Sequence, residues 1–356
     1  MKTFITLIIL PLAIGLLLLV STNFTDDADS SSNNTIHVYN WGEYIDPELL
    51  DKFYEETGIK VIYETFDSNE AMMVKVNQGG TNYDVVFPSE YAVEKMIKDD
   101  MLMPIDYEQL NNDDNIDPDI IERLAPGLSD YTVPYFYGTV GILYNEEAVS
   151  DLDLTTWNTL WDDDLENDIL MIDGAREAIG MSLNSMGQSL NETDRDVLNS
   201  AQQKLFELAP NIRGVVGDEI SSMMAEDEAS LAVVWSGMAK DTMAENENLN
   251  YIVPDEGSNL WFDGMAIPKN ANNPEGAHRF IDFLLEEEIA ATNTEWVGYS
   301  TPNEAALAMM DDDTQNDERF YPDEAALDSL EMYRDLGSEM ISYYNELFLE
   351  FKMKLD

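Results

Sequence analysis

Residues 36–97 read IHVYNWGEYIDPELLDKFYEETGIKVIYETFDSNEAMMVKVNQGGTNYDVVFPSEYAVEKMI, and this stretch decides the fold. Short runs rich in Val, Ile and Tyr at 36–39, 60–64 and 83–87 alternate with amphipathic helical patterns at 47–56, 69–76 and 90–97. Strands separated by helix-length segments return in the same direction, so the alternation predicts a parallel α/β sheet. The punctuation agrees. Gly58 stands where a helix C-cap needs left-handed backbone, and Ser68 and Ser89 stand where an N-cap oxygen accepts from first-turn amides.

Working outward, YTVPYFYGTVGILY at 131–144 is a long extended run broken only by Gly138 and Gly141, and it reads as a strand crossing between two lobes. A second α/β region follows, with strands expected at 169–172, 214–216 and 231–235 and helices at 175–186 and 193–208. A strand at 260–267 returns the chain to the first lobe, and helices are expected at 274–285 and 325–351. The segment DDDTQNDE at 311–318 reads as an exposed acidic loop, and no internal repeat stands out. Ligands of open α/β sheets sit beyond the carboxyl ends of the strands, where Trp41, Ser89, Asp173 and Trp235 fall. Two such lobes face to face would put these residues around one cleft.

At 356 residues with 44% apolar content, the chain is long enough for two domains. Its 72 acidic and 18 basic residues give a formal charge of −54, which excludes nucleic acid as a partner, because phosphate recognition needs clustered Lys and Arg. The excess of acid serves solubility, in a salt-rich medium for instance, and favours cations as ligands. Cysteine is absent, which removes disulfides, thiolate nucleophiles, thiolate metal sites and a lipid-modified cysteine. Behind Lys2, residues 4–20 form a run at the lower limit for a membrane span, and no Ala-x-Ala pattern follows it. An uncleaved membrane anchor at 1–22 is the first reading and a cleaved signal peptide the second, with a polar tether at 23–34. The division expected beyond it is 35–138 plus 264–308 for one lobe and 139–263 plus 309–356 for the other.

Three strand ends join a ring to an acid: Trp41-Gly42-Glu43-Tyr44, Ser89-Glu90-Tyr91 and Trp261-Phe262-Asp263. Aromatic faces attract an ammonium group and carboxylates accept its hydrogen bonds, so the recurrence points to an organic cation. Asp263 stands out because it sits in the apolar run LWFDGMAIP, where a carboxylate must be paired or open to a cleft. Read alone, Trp235 in LAVVWSG is equally a core residue, and Glu177 after Arg176 is equally a helix cap or ion-pair partner. Catalytic readings fare worse. VWSGM lacks the leading glycine of a nucleophile elbow, and His37 and His278 have no metal-ligand spacing. In DDNIDPD at 113–119, Pro118 and Leu124 stand where a calcium loop needs Gly and Glu. No cofactor or metal is expected. Paired carboxylates leave an extracellular hydrolase as the distant alternative, behind a receptor for another small cationic or neutral solute.

The segments VYNWGEYIDPELLDKFYEETGIKVIYETFDSNEAM, YDVVFPSEYAVEKM, DGAREAIG, NLWFDGMAIPK and VGYSTPN together resemble the extracytoplasmic polyamine-binding proteins of bacterial ABC importers, receptors for spermidine and putrescine. The resemblance covers about residues 35–354. It implies the type II periplasmic-binding-protein fold with two crossings between lobes, no enzymatic activity, and an ABC permease as partner at the outer face of the membrane. It implies a ring wall of Trp41, Tyr44, Tyr91, Trp235, Trp261 and Tyr299, with Glu177 and Asp263 holding the amino groups. Trp235 and Trp261 would sandwich the methylene chain, and Ser89 and the backbone around Glu43 would finish one end. The chain departs from that pattern in three places. Gly174 replaces a second Asp, leaving Asp173 as the nearest acid; Gly42 replaces Thr; and Tyr333 stands where some members carry a glutamine ligand. These positions bear on how many amines the site takes.

Overall fold

The structure, a computed structural model, describes residues 34–355. The anchor expected at 1–22 and all but the last residue of the tether lie outside them. Among the described residues no helix is long and apolar enough to cross a membrane. The strands are β1 (Thr35–Trp41), β2 (Lys60–Phe66), β3 (Val85–Val86), β4 (Leu102–Met103), β5 (Thr132–Asn145), β6 (Ile169–Ile172), β7 (Ile212–Val216), β8 (Leu231–Trp235), β9 (Leu249–Ile252) and β10 (Leu260–Pro268).

They run in the order β2-β1-β3-β10-β5-β8-β6-β7, with β4 on β10 and β9 on β5. The order turns on β5. Its residues from Thr132 to Thr139 pair with β10, whereas those from Val140 onward pair with β8 and β9. One strand therefore belongs to two sheets, as expected of a crossing at 131–144. The pairing is mixed rather than wholly parallel. β1 is parallel to β2 and β3, and β6 to β7 and β8, but β5, β9 and β10 run antiparallel to their neighbours. The reason is the chain path, since β5 carries the chain out of the first sheet and β10 brings it back, so the two run in opposite directions.

Each sheet is buried on both faces, and alternate side chains divide between two cores. Around the first sheet, Val38, Val85 and Met265 join one core and Tyr39, Val86 and Ala266 the other. Around the second, Ile169, Met171 and Val233 face one way and Leu170, Ile172 and Val234 the other. Cap chemistry follows the sequence at Gly58, which adopts φ 71° after the helix Pro47–Thr57, and at Ser68, which accepts from the Ala71 amide. Ser89 also stands at an N-cap, but its hydroxyl makes no cap bond.

The largest difference from expectation lies near the C-terminus. The single helix expected over 325–351 is two, Glu324–Leu327 and Ser338–Leu355, because the intervening chain is captured as an extended segment beside β10. Leu260 N–H donates to Glu331 O at 2.9 Å and Glu331 N–H to Ser258 O at 2.9 Å, and Gly337 turns the chain at φ 78°. Leu327, Leu330 and Met332 pack on a core of the first sheet, whereas Tyr344, Leu347 and Phe351 pack on the second. The segment thus runs from a core of the first sheet to a core of the second. The acidic stretch expected as a loop at 311–318 contains a short helix, Asp312–Gln315, capped by Asp311.

Candidate ligand site

Asp263 sits on β10 at a register shift between Asp263 and Gly264 and is only 7% exposed. Such irregularities re-aim side chains at strand edges. Its Oδ1 accepts from Ser89 Oγ at 2.6 Å and its Oδ2 from Tyr44 Oη at 2.9 Å. Both donors are neutral hydroxyls. Burial therefore dominates and pushes the carboxyl up to about 6, with the two hydrogen bonds opposing it. A buried carboxylate that has polar support but no cation is a strong acceptor for one.

Rings surround it. Tyr44 meets Tyr135, Phe136 and Tyr299 edge-on at centroid separations of 5.7, 5.4 and 5.7 Å. Tyr299 stands at 84° to Trp261, centroids 5.0 Å apart. From there the Tyr299 ring reaches the helix Ser236–Glu245, which follows β8 of the second sheet, and lies against Gly237 in its first turn, so closely that any Cβ at Gly237 would collide with it. Trp261 in turn covers Gly138 on the crossing strand. Half-buried Trp235 ends β8 opposite Val140 and opens the same helix.

Asn69 organises the other side: its Nδ2 donates to Ser89 Oγ and to Tyr91 Oη, both at 3.0 Å, and its Oδ1 accepts from the Ser89 amide at 3.1 Å. Trp41 fixes its indole on Phe87 O at 2.9 Å and tilts over Phe66. Burial pushes the Tyr91 hydroxyl up, and the nearby Glu70 and Glu177 add to it. Tyr91 thus joins the Asp263 cluster to a second one. There Glu177, in the first turn of the helix Ala175–Asn184, folds its carboxyl back over Gly174, and burial holds its pKa up against the neighbouring Arg176. Tyr333 is buried beside it, its ring 4.2 Å beneath the Arg176 guanidinium.

Two sequence candidates stand apart. Asp173 is exposed and ion-paired with Lys352 at 2.7 Å, because the C-terminal helix brings a lysine to it. Glu43 is exposed on left-handed backbone at φ 50°, so its place in the turn serves the chain path that delivers Tyr44. The third acid of the ring pairs, Glu90, turns inward to backbone amides of Phe262 and Tyr333. Sequence reasoning missed Asn69 and Gly237. Gly237 follows Trp235 by two residues, and that Ser-Gly step at a strand end was the available signal. Among the described residues no group of three or more His, Asp or Glu side chains could hold a metal ion.

The raised Asp263 carboxyl has a consequence for stability. Between about pH 4 and 6 the folded protein keeps a proton that the unfolded chain has lost, so its stability falls as pH rises through that window. The melting temperature of ligand-free protein is expected to drop from pH 5 to pH 7, and less steeply in Asp263→Asn. Equal slopes in the two proteins would remove Asp263 as the source, leaving the other buried acids, Glu90 foremost, and general repulsion.

Comparison with known proteins places these features in a family context. The family model for bacterial extracellular solute-binding proteins matches residues 48–322. The spermidine/putrescine-binding periplasmic protein of Escherichia coli is 38% identical over 327 residues, covering 91% of this chain and 93% of that protein. A putrescine-binding periplasmic protein of Pseudomonas aeruginosa is 31% identical over 331 residues, 88% of this chain and 90% of the relative. Among solved structures, the spermidine/putrescine ABC transporter substrate-binding protein of Streptococcus pneumoniae superimposes with a TM-score of 0.82 at 46% identity, covering 91% of this chain and all of that one. The mixed α/β fold is that of the periplasmic binding proteins.

Proposed function

Because this chain belongs to the bacterial extracellular solute-binding proteins, we propose that it is the polyamine receptor of an ABC importer, capturing spermidine or putrescine outside the cytoplasm. It is a receptor rather than an enzyme. Asp263 carries the reading: a buried carboxylate held by Tyr44 and Ser89, walled by Trp261 and Tyr299, is complementary to an ammonium group on a methylene chain. Glu177 is the acid for a second amino group, reached past Tyr91, and Trp235 and Trp41 extend the ring wall. Flat rings that fix one extended conformer offset part of the rotamer entropy a flexible polycation loses on binding. Ser89 positions Asp263, and Tyr333 closes the Glu177 end.

The proposed arrangement is type II, with lobes that close around the ligand, and β5, shared by both sheets, supports it. A ligand that touches both lobes favours the closed state by its differential contacts, and that state is what a permease reads. The apolar run at 4–20 holds the receptor at the outer face of the membrane.

Calorimetric titration of a soluble form beginning near Asn33 with spermidine and putrescine at high salt tests the reading. Saturable one-to-one binding that survives salt is the expected result. Weak, multivalent binding erased by salt would reduce the interaction to attraction by a chain of charge −54 and point to another small cationic or neutral solute.

A further inference from the structure

Glu90 opens the helix Glu90–Lys98, is 4% exposed, and has no place in the ligand contacts described above. Its Oε2 accepts from the Phe262 amide at 3.0 Å and its Oε1 from the Tyr333 amide at 3.2 Å. Phe262 precedes Asp263 on β10, and Tyr333 lies on the extended segment that runs between the cores of the two sheets. On either side of Glu90 in the chain, Ser89 donates to Asp263 and Tyr91 stands near Glu177. A single carboxyl therefore fastens two remote strands to the tripeptide that supports both acidic clusters.

We propose that Glu90 is a positioning residue of the ligand site, setting Asp263 and the 331–334 segment in register with Ser89 and Tyr91 by holding the amides of Phe262 and Tyr333. It does not touch the ligand, and the proposal rests on the polyamine reading for the identity of that ligand.

The groups that face Glu90 are few. Asp263 acts on it from β10 and Tyr91 from its own helix. Around the adjoining cavity stand Glu94, Arg123, Glu331, Tyr333 and Arg334. The two arginines are engaged elsewhere, Arg334 with Glu94 at 3.1 Å and Arg123 with Asp328 at 3.0 Å. Burial pushes the Glu90 carboxyl up to about 8, the backbone amides of Phe262, Glu90 itself and Tyr333 oppose it, and the charge of Asp263 adds to it. A cation delivered to Asp263 offsets that last contribution and shifts Glu90 toward its ionised form, while burial remains the larger effect. The ionised carboxylate then binds both amides more strongly, since charge-assisted hydrogen bonds are roughly twice as strong as neutral ones. Ligand binding thereby tightens the staple and, below about pH 8, releases a proton from it.

Two measurements test this. The first needs no ligand: amide hydrogen exchange at Phe262 and Tyr333, corrected for intrinsic rates, followed from pH 6 to 9 in wild type and in Glu90→Gln. In wild type both amides are expected to gain protection as pH rises. In Glu90→Gln, where the Nε2 donor faces one of the amide donors, protection is expected to fall about tenfold and to lose its pH dependence. The second is titration with putrescine, whose two amines stay protonated, at pH 7.5 in two buffers of different ionisation enthalpy. Wild type is expected to release protons on binding. Glu90→Gln is expected to bind about tenfold more weakly, with that proton release abolished. A variant that matches wild type in exchange and in proton release would overturn the proposal. Wild type that binds no polyamine would refute the polyamine reading while exchange still decides the role of Glu90. A variant that fails to fold leaves the decision with wild type, where Phe262 and Tyr333 amides that exchange as fast as exposed ones would refute it.

Discussion

Replacing Asp263 with Asn is expected to weaken spermidine and putrescine binding by roughly two orders of magnitude, the scale of stranding one partner of a buried ion pair at ~3 kcal/mol. The substitution is isosteric and keeps the local network. The Asn carbonyl still accepts from Ser89, and its amide donates to the Tyr44 hydroxyl, so rings and backbone stay in place. What is lost is the charge, in a position where burial removes water as a substitute partner. Titration calorimetry of Asp263→Asn beside Asp313→Asn reads the difference. The second acid lies in the exposed helix Asp312–Gln315, where a charge acts only through screened, long-range attraction. Equal losses from the two substitutions would mean that binding is diffuse and that Asp263 marks no site.

Gly237→Ala is expected to cost tenfold or more in affinity while leaving the melting temperature nearly unchanged. The new methyl group meets Cδ1 and Cε1 of Tyr299, and that ring cannot yield, because Trp261 and Tyr44 hold it from two other directions. Overpacking of this kind costs about 1–3 kcal/mol. It falls where Tyr299 meets the helix after β8 rather than inside a core of either sheet, and alanine's better helix propensity, about 1 kcal/mol over glycine, supports the helix that carries it. Stability and binding should therefore separate. A double-mutant cycle with Tyr299→Ala checks the mechanism: once the ring is gone, Gly237→Ala should have little further effect. Additive losses would show that the glycine serves the helix alone.

Much of this was legible because it is local. The alternation at 36–97, the crossing strand at 131–144 and the strands at 169–172 and 231–235 are written in runs of apolar residues whose period fixes the element. Asp263 was legible for the opposite reason, as a charge in an apolar strand. Where the reading failed, the deciding interaction lies far away in sequence. The helix expected over 325–351 breaks because Glu331 finds β10, Asp173 turns to Lys352 across 179 positions, and Glu90 is captured by amides 172 and 243 positions away. Tertiary pairing overrides helix propensity, and no periodicity in 325–351 announces it. Gly237 illustrates a different limit, since what matters there is which side chain arrives over an empty Cβ position.

The separation of these partners also bears on how the receptor folds. Tyr44 and Asp263 are 219 residues apart, and Glu90 and Tyr333 are 243 apart. Contacts of such span close long loops, which slows folding. A chain still lacking the segment around residue 333 has every strand of both sheets but not the Tyr333 side of the candidate site. A ligand that binds only the native state would stabilise it by mass action.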